Sequence, residues 1–449
     1  MPRAADHALS EPIFHEPVFD DGKASPDPTG FMQDHPSDDA VYQQIEDLLK
    51  TKVVGFDQAR GRPDDLYTLA QAYGSRGEHV TAQIEAAGRI VFHAIGDSGA
   101  SSDGKQYADE LTVADQLTTD CNITATVDRP SFLLHLGDVV YDFGESQYYY
   151  DQFYAPFRDY PAPIFAIPGN HDSFVLPDTP AGQTPLDVFT RNFCATQPVV
   201  TREAASLHRT AMTQPGVYFA LDAPFVRLLC LFSNALEDPG VISSEGGRWP
   251  GVPDHQLQFL EAQLTRAKTE NYKGALLIAV HHPPFTYDAP QDGSSAGGLH
   301  GSSTDMLRQI DRICAKVGIY PHAFLSAHAH NYQRYTRTVR IGDKDRDVPF
   351  IVCGDGGHHV NALVRARRGT AAQEPHFGTD VKYLDVDPAI ESKGLKLEKY
   401  HDRGYGYLRI SVDRQQLSIG FHVAGQGSIA QSRFDKVTVD LAAHDMVAN

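Results

Sequence analysis

Five short segments of the chain carry side chains that bind metal ions, and they follow one another in a fixed order. They are Gly96-Asp97-Ser98-Gly99, Gly137-Asp138-Val139-Val140-Tyr141-Asp142, Gly169-Asn170-His171-Asp172, His281-His282-Pro283 and Ala327-His328-Ala329-His330-Asn331-Tyr332-Gln333-Arg334. Their Asp, Tyr, Asn and His side chains offer the oxygen and imidazole nitrogen atoms that coordinate transition metals. Five such segments, spread over more than half of the chain, predict one preassembled site for two metal ions.

Most of these segments follow a short apolar run that is typical of a buried strand. The runs are residues 89–95, 131–136, 163–167, 275–280 and 323–325. Helical patterns separate several of the runs, as where Leu257, Leu260 and Leu264 share one helix face. Alternating strands and helices indicate a layered α/β fold, in which binding groups lie beyond the carboxyl ends of the strands. Two later segments, 348–353 and 405–423, predict a further strand and a hairpin.

The sequence predicts one further segment before this α/β region and another after it. Residues 1–87 read as an N-terminal extension that is partly helical. Its apolar spacing and helix-start signals predict three helices, at 38–50, 63–73 and 79–87. The catalytic domain then spans 88–425, and residues 426–449 form a C-terminal tail.

The composition is that of a protein with a large core and an acidic surface. Of the 449 residues, 41% are hydrophobic, and the formal net charge is −19. This acidity argues against a nucleic-acid partner, because phosphate backbones require a basic surface. An anionic substrate therefore needs local positive charge, which metal ions supply. The five cysteines are widely spaced and form no CxxC pair, which argues against a disulfide framework and a cysteine zinc site.

The start of the chain as given has no apolar core of signal-peptide length, and no stretch has the length of a membrane-spanning helix. We therefore expect a cytoplasmic protein without a membrane partner. The alternative is an exported protein whose leader has been removed, since its sequence would look the same.

In order and spacing, the five segments resemble the calcineurin-like metallophosphoesterase superfamily and, within it, the purple acid phosphatases. The family pattern is Gly-Asp-x-Gly, Gly-Asp-x-x-Tyr, Gly-Asn-His-Asp/Glu, a strand ending in His, and Gly-His-x-His. The chain matches it except at Ala327, which stands where the family has glycine. The resemblance covers about residues 88–425. It implies a four-layer α/β/β/α sandwich, to which this chain adds a mainly helical N-terminal extension.

The resemblance implies two neighbouring metal positions that share one carboxylate. Asp138 serves both positions, Asp97, Tyr141 and His330 complete the first, and Asn170, His281 and His328 complete the second. A carboxylate and a phenolate suit a ferric ion, whereas an amide oxygen and imidazoles suit a divalent ion such as Zn, Mn or Fe(II). The expected cofactors are therefore Fe(III) and one of these divalent ions.

Tyr141 is the residue that separates the purple branch from the rest of the superfamily. Most members have a histidine two residues after the first aspartate, and this chain has Gly99 there. A tyrosine three residues after Asp138 is what the purple branch uses instead. The alternative is that Tyr141 is a packing aromatic in a tyrosine-rich region.

The resemblance also implies which residues act on the substrate. His171 follows a proposed ligand and is the candidate to contact the phosphoryl group and protonate the leaving group, with Asp172 orienting it or raising its pKa. His300 resembles a histidine that contacts substrate in the family, and the alternative is a surface loop histidine. Arg334 is expected to be a structural ion-pair partner. The remaining histidines of the region are expected to support the site or the fold, namely His282, His358 and His359.

The implied activity is hydrolysis of phosphate monoesters by a hydroxide that two metal ions activate. A phosphodiesterase with the same two metals is the alternative, and comparative turnover of mono- and bis-esters separates them. A metal-binding protein without activity is disfavoured, because no proposed ligand is lost. The predicted loops at 177–206, 234–253 and 286–303 are rich in Gly, Ser and Pro with few basic residues, which favours a small phosphoester as substrate.

Overall fold

The fold consists of two β-sheets with flanking helices. The structure is a computed structural model, which describes residues 40–447 except 53–54, 57, 62–65, 101–104, 123–124, 142, 174–184, 206, 208, 287–299, 362 and 364–393. The α-helices are α1 (Ala40–Lys50), α2 (Leu69–Ala72), α3 (Gly77–Ala87), α4 (Lys105–Cys121), α5 (Asp187–Phe193), α6 (His255–Thr269), α7 (Thr304–Val317) and α8 (Ile429–Ser432). The strands are β1 (Leu66–Thr68), β2 (Arg89–Ile95), β3 (Leu133–His135), β4 (Ile164–Ala166), β5 (Phe219–Ala223), β6 (Val226–Leu231), β7 (Ala275–Val280), β8 (Ala323–Ser326), β9 (Tyr332–Ile341), β10 (Lys344–Cys353), β11 (Leu395–His401), β12 (Gly406–Asp413), β13 (Gln416–Val423), β14 (Arg433–Asp440) and β15 (Asp445–Met446).

The two sheets pack against each other and carry helices on their outer faces. The larger sheet has the order β1-β5-β6-β7-β8-β10-β9-β11, and the smaller has the order β15-β14-β13-β12-β2-β3-β4. Strand β10 contacts β12 and β15 across the interface, α6 packs on β6 and against α7, and α4 packs on β12. Every residue of β6 and of β7 is buried, as expected for strands covered on both faces. The predicted four-layer α/β/β/α sandwich is confirmed.

The predicted strands are confirmed, and their order explains how distant segments meet. Strands β2, β3 and β4 are parallel neighbours in the smaller sheet. In the larger sheet β6, β7, β8 and β10 are parallel neighbours. Asp97, Asp138 and Asn170 come after the three strands of the first set, and His281 and His328 come after β7 and β8. The carboxyl ends of both sets therefore bring all five segments to one end of the sandwich.

The N-terminal extension departs from prediction at one point. The helices expected at 38–50 and 79–87 are confirmed by α1 and α3. The helix expected at 63–73 is wrong at residues 66–68, because Leu66–Thr68 forms β1 and pairs in parallel with β5, and residues 63–65 lie outside the described part of the chain. Helix α2 begins only after Thr68, whose side chain accepts a hydrogen bond from the backbone N–H of Gln71. Pairing at an open sheet edge overrides the local helical signal, so the extension contributes a strand to the larger sheet.

The C-terminal segment also differs from the expected tail. Residues 426–449 include β14 and β15, which extend the smaller sheet beyond β13. The inward side chains Val437 and Val439 are buried. Asp435 on β14 accepts from Arg334 on β9, with Nε–Oδ2 at 2.7 Å and Nη2–Oδ1 at 3.2 Å. The structural role predicted for Arg334 is confirmed, and its ion pair ties the C-terminal strands to the larger sheet.

Two further expectations concern the cysteines and the bilayer. All five cysteines are free, and Cys230, Cys314 and Cys353 are buried as small apolar side chains. Within the described residues we find no helix that combines the length and the apolar character that crossing a bilayer requires.

Candidate metal centre

Tyr141 lies at the centre of the first group of proposed ligands. Its hydroxyl oxygen lies 3.1 Å from Asp97 Oδ1, 3.1 Å from Asp138 Oδ2 and 3.3 Å from His330 Nε2. All four side chains are buried. The structure therefore brings together, in one pocket, the four residues that the sequence assigned to the first metal.

The second group of proposed ligands adjoins the first. His281 Nε2 lies 3.0 Å from Asn170 Oδ1 and 3.4 Å from Asp138 Oδ2. Asp138, His281 and His328 each place a ligand atom within 4.8 Å of those of the other two. Asp138 thus lies between the two groups, which is the position that a shared carboxylate requires.

The backbone at these residues is strained. Asp97, Asp138 and His328 have φ angles of 55°, 54° and 69°, in the left-handed region that residues with side chains rarely adopt. Such a backbone costs on the order of 1–3 kcal/mol per residue and persists only where surrounding contacts hold it. Gly169 permits the tight turn beside them, since a Cβ there would lie 2.0 Å from Asp138 Oδ1. Strain concentrated on three proposed ligands is typical of a functional site.

Ala327, the departure from the family pattern, fits its position. A Cβ on Gly96 would lie 2.3 Å from the Ala327 Cβ, so the glycine at 96 makes room for the alanine at 327. The Ala327 N–H donates to the His281 carbonyl at 2.9 Å. The N–H of the next residue, His328, donates to Asp97 Oδ2 at 2.8 Å. The methyl group is therefore accommodated while His328 stays linked to the first group.

The electrostatics of the pocket fit two cations. Burial raises the pKa of Asp97 well above its usual value, and burial together with the neighbouring carboxylates does the same for the Tyr141 hydroxyl. Burial lowers the pKa values of His328 and His330 well below the usual range, so that both imidazoles are neutral and hold a lone pair. Carboxylates gathered in a buried pocket are costly unless a cation compensates them. One group offers hard oxygen atoms, and the other offers an amide oxygen and imidazoles. This donor set therefore suits two metal ions.

Two of the proposed ligand histidines have partners that orient their rings. His281 Nδ1 lies 2.9 Å from the Leu136 carbonyl oxygen, and because a carbonyl only accepts, Nδ1 carries the proton and Nε2 faces Asp138. Burial opposes the charged form of His281, but the carboxylate of Asp138 raises its pKa to about 9. His330 Nδ1 lies 3.1 Å from His359 Nε2. Such partners fix the tautomer of a ligand and its direction.

Tyr141 is itself held on two sides. Gln152 accepts from the Tyr141 N–H at 2.8 Å and donates to its carbonyl at 2.9 Å. The His358 ring stacks on the phenol, with centroids 3.6 Å apart and planes inclined by 7°, and its Nδ1 donates to the Gly99 carbonyl at 2.8 Å. A hydroxyl aimed between two carboxylates on so rigid a support favours a ligand over a packing aromatic. His358 and His359 therefore support the site, as the sequence predicted.

His171 lies beside the first group of proposed ligands. Its backbone N–H donates to Asp138 Oδ1 at 3.0 Å, and its ring centroid is 4.4 Å from that of Tyr141. The side chain is buried, with 4% of the residue exposed. A group placed on the pocket wall next to both Asp138 and Tyr141 can reach a substrate bound there.

Asp172 joins two loops of the site through its carboxylate. Its carboxylate accepts from the backbone N–H groups of Val139, Val140 and Gly169, at distances between 3.0 and 3.2 Å. Burial raises its pKa to about 7. These contacts hold the turn of Asp138 against the turn of Asn170, so Asp172 has a structural part in the site, and its expected effect on His171 stays a prediction.

His300 lies inside the pocket, which overturns the surface-loop alternative. It is 4% exposed, and its Nδ1 lies 3.3 Å from His328 Nε2 and 3.2 Å from Glu237 Oε1. The preceding residues 287–299 lie outside the described part of the chain. His300 thus adjoins the second group, where it can contact a bound phosphoryl group.

One acidic pair near the pocket, Glu237 and Asp238, is not among the residues predicted from the sequence. They lie on the loop after β6, a strand whose carboxyl end faces the same site. Glu237 Oε2 accepts from Asn170 Nδ2 at 3.3 Å, and Asp238 Oδ2 accepts from the Gly301 N–H at 2.7 Å. The signal that could have indicated them is their position shortly after an apolar strand. They fall in the segment 234–253, which was predicted only to be a loop.

The sequence model of the calcineurin-like phosphoesterase family matches residues 90–355, more than half of the chain and all seven proposed ligands. The chain belongs to this family. The superfamily prediction is thereby confirmed. The calcineurin-like phosphoesterases are a family with a dinuclear metal site, and the pocket of this chain offers Asp and His groups that can hold metal ions.

Three solved structures align with most of the chain at low identity. A purple acid phosphatase from yellow lupin (Lupinus luteus) seeds is 15% identical over 80% of this chain, with a TM-score of 0.47, and this chain spans 57% of its length. GAP50, the anchor in the inner membrane complex of Plasmodium, is 11% identical over 78% of this chain and 89% of its own, with a TM-score of 0.48. PhoD is 13% identical over 80% of this chain and 71% of its own, with a TM-score of 0.46. No curated protein sequence matches the chain.

Proposed function

We propose that the chain is a phosphoesterase of the purple acid phosphatase type, with Fe(III) at the first position and Zn, Mn or Fe(II) at the second. The observation that carries this proposal is the Tyr141 hydroxyl, 3.1 Å from a carboxylate oxygen of both Asp97 and Asp138. A phenolate and two carboxylates form the hard anionic set that a ferric ion prefers. Asn170 and the imidazoles beside it offer the softer set of a divalent ion.

The chain's own residues supply position, exclusion of water and a proton. Two bound cations would lower the pKa of a shared water toward neutrality and offset charge on the phosphoryl oxygens. Asp138 adjoins both groups and would contribute to holding both cations, and burial of the pocket strengthens each electrostatic contact because the local dielectric is low. His171 lies beside the first position and can donate a proton to the leaving oxygen. His300 lies beside the second and can contact the phosphoryl group.

The first prediction concerns the colour of the protein. A phenolate bound to Fe(III) absorbs visible light by charge transfer from ligand to metal, so iron-loaded wild type should show a visible band. Tyr141→Phe should fold and lose that band. Visible spectra recorded with iron content and circular dichroism measure this. Tyr154→Phe is the matched control, because Tyr154 is also buried but donates to Asn192 at 2.6 Å, away from the site. An iron-loaded wild type without a band contradicts the assignment of Tyr141.

The second prediction concerns the class of phosphoester. We expect a higher kcat/KM on small monoesters than on bis-esters or DNA, at mildly acidic pH. The reason is that the pocket is buried, that the carboxylates of Glu237 and Asp238 lie on a loop beside it, and that the chain has a net charge of −19. Such surroundings do not attract a long polyanion. The measurement is a steady-state panel on protein whose metal content has been verified.

Two results of that panel would change the proposal. A clear preference for bis-esters supports a phosphodiesterase with the same ligands. Full metal occupancy without turnover of any phosphoester supports a metal-binding protein that keeps the fold.

A further inference from the structure

Glu237 bridges the two polar groups that border the second metal position. One carboxylate oxygen, Oε2, accepts from Asn170 Nδ2 at 3.3 Å. The other, Oε1, lies 3.2 Å from His300 Nδ1. The residue is 4% exposed, so this carboxylate is held in place by the pocket and not by solvent. A buried acid with one oxygen hydrogen-bonded to Asn170 and the other beside His300 constrains where these two residues lie.

The contact with Asn170 decides which way its side-chain amide faces. The amide oxygen and nitrogen exchange places on a half-turn of the terminal torsion, and the two orientations have similar shapes. A carboxylate only accepts, so it must face the NH₂ group. The Asn170 oxygen is then turned to the opposite side, where it lies 3.0 Å from His281 Nε2. Because only the oxygen can bind a metal ion, Glu237 selects the orientation that is competent as a ligand.

The loop that carries Glu237 is anchored on both flanks. On one side, His282 accepts from Ser233 Oγ at 2.7 Å through Nδ1 and donates to the Leu236 carbonyl at 2.7 Å through Nε2. On the other, Asp238 accepts from the Gly301 N–H at 2.7 Å. The structural role expected of His282 is thereby confirmed. These contacts keep the carboxylate of Glu237 at a fixed distance from Asn170.

The N-terminal helix supports this loop from behind. Ile45 and Leu49 of α1 share a small hydrophobic cluster with Leu236 and Trp249. Leu236, which immediately precedes Glu237, is fully buried. The N-terminal extension therefore packs against the loop that carries Glu237 to the second metal position.

We propose that Glu237 is a positioning residue for the second metal: it holds the Asn170 oxygen toward that metal, without itself being one of the ligands. The proposal rests on the dinuclear site proposed above. Because Glu237 acts through Asn170, its loss matters only while Asn170 is present. A residue that acted directly on the metal, as a ligand or by its charge, would matter in either case.

The test is a double-mutant cycle that reads metal affinity at the second position. Glu237→Ala, Asn170→Ala and the double variant are loaded with iron, and Mn²⁺ or Zn²⁺ is then titrated against a chelator. Glu237→Ala alone should weaken the second metal by roughly 10–100-fold, the usual cost of losing the partner of a metal ligand. In the Asn170→Ala background the same substitution should change the affinity little, since the two residues act as one unit. The iron content and visible band should persist in Glu237→Ala.

The control is Glu245→Gln on the same loop. The Glu245 side chain is 4% exposed and accepts from Trp249 Nε1 at 2.9 Å, and because a glutamine oxygen can still accept, this substitution should leave both affinities unchanged. Glu237→Gln, of nearly the same size, should keep part of the affinity because its amide oxygen can still accept from Asn170. Equal losses from Glu237→Ala in both backgrounds, or loss of iron together with the second metal, would overturn the proposal. A wild type that takes up no second metal overturns the dinuclear site as well, whereas two bound metals with additive losses overturn this proposal alone.

Discussion

Asp138→Asn is expected to remove metal from both positions and to abolish turnover. Asp138 Oδ2 lies 3.1 Å from the Tyr141 hydroxyl and 3.4 Å from His281 Nε2, so one carboxylate adjoins both groups of proposed ligands. An asparagine in its place loses the negative charge that two cations would share. The loss of affinity should therefore exceed the roughly 10–100-fold that follows removal of a ligand's outer partner. Elemental analysis of the purified variant gives the number of metals per chain.

Two comparisons make this result specific. Asn170→Ala and His328→Ala belong only to the second group, so each should lose the second metal first and keep iron. Asp355→Asn is the control for a buried aspartate near the site. Burial raises the pKa of Asp355 to about 8, which favours its neutral form, so the amide should be tolerated with both metals bound. Full occupancy in Asp138→Asn would refute the bridging role.

The sequence could predict which residues the pocket brings together because their signals are local. A strand that is buried on both faces must be a continuous apolar run, and the polar residues that follow it must lie at the sheet's edge. The segments around Asp97, Asp138 and His281 each contain both signals within a few residues. Parallel pairing then brings them together whatever their separation along the chain. The fold class follows from the same runs.

The errors arose where partners are distant. Leu66–Thr68 forms a strand only because the edge of β5 is open to it, and a three-residue strand has no periodicity to reveal it. The strand at 433–440 likewise depends on β13 and on Arg334. Glu237 belongs to the site because the fold brings it to Asn170 and His300, and no spacing in the sequence links it to either residue. Tertiary contacts decide such elements, and a local pattern cannot predict them.

The roles of neighbouring motif residues also depended on tertiary contacts. Asp172 stands next to His171 in sequence, yet its carboxylate accepts from the backbone of Val139 and Val140. The sequence alone therefore does not reveal that the carboxylate of Asp172 links two turns of the site.

His171→Ala is expected to lower kcat by roughly 10²–10⁴-fold, the usual contribution of a general acid, while both metals stay bound. Metals should stay because the contact of His171 with Asp138 is made by its backbone N–H, which alanine retains. The loss should be larger for alkyl phosphates, whose leaving oxygen needs a proton, than for nitrophenyl phosphate, whose leaving group is stable as an anion. The measurement is steady-state kinetics on both substrates, together with metal content and the visible band. The control is His255→Ala, on the exposed start of α6. Equal losses on both substrates would assign His171 to positioning the phosphoryl group. Loss of metal would instead place it among the ligands. Only a loss that depends on the leaving group identifies His171 as a proton donor.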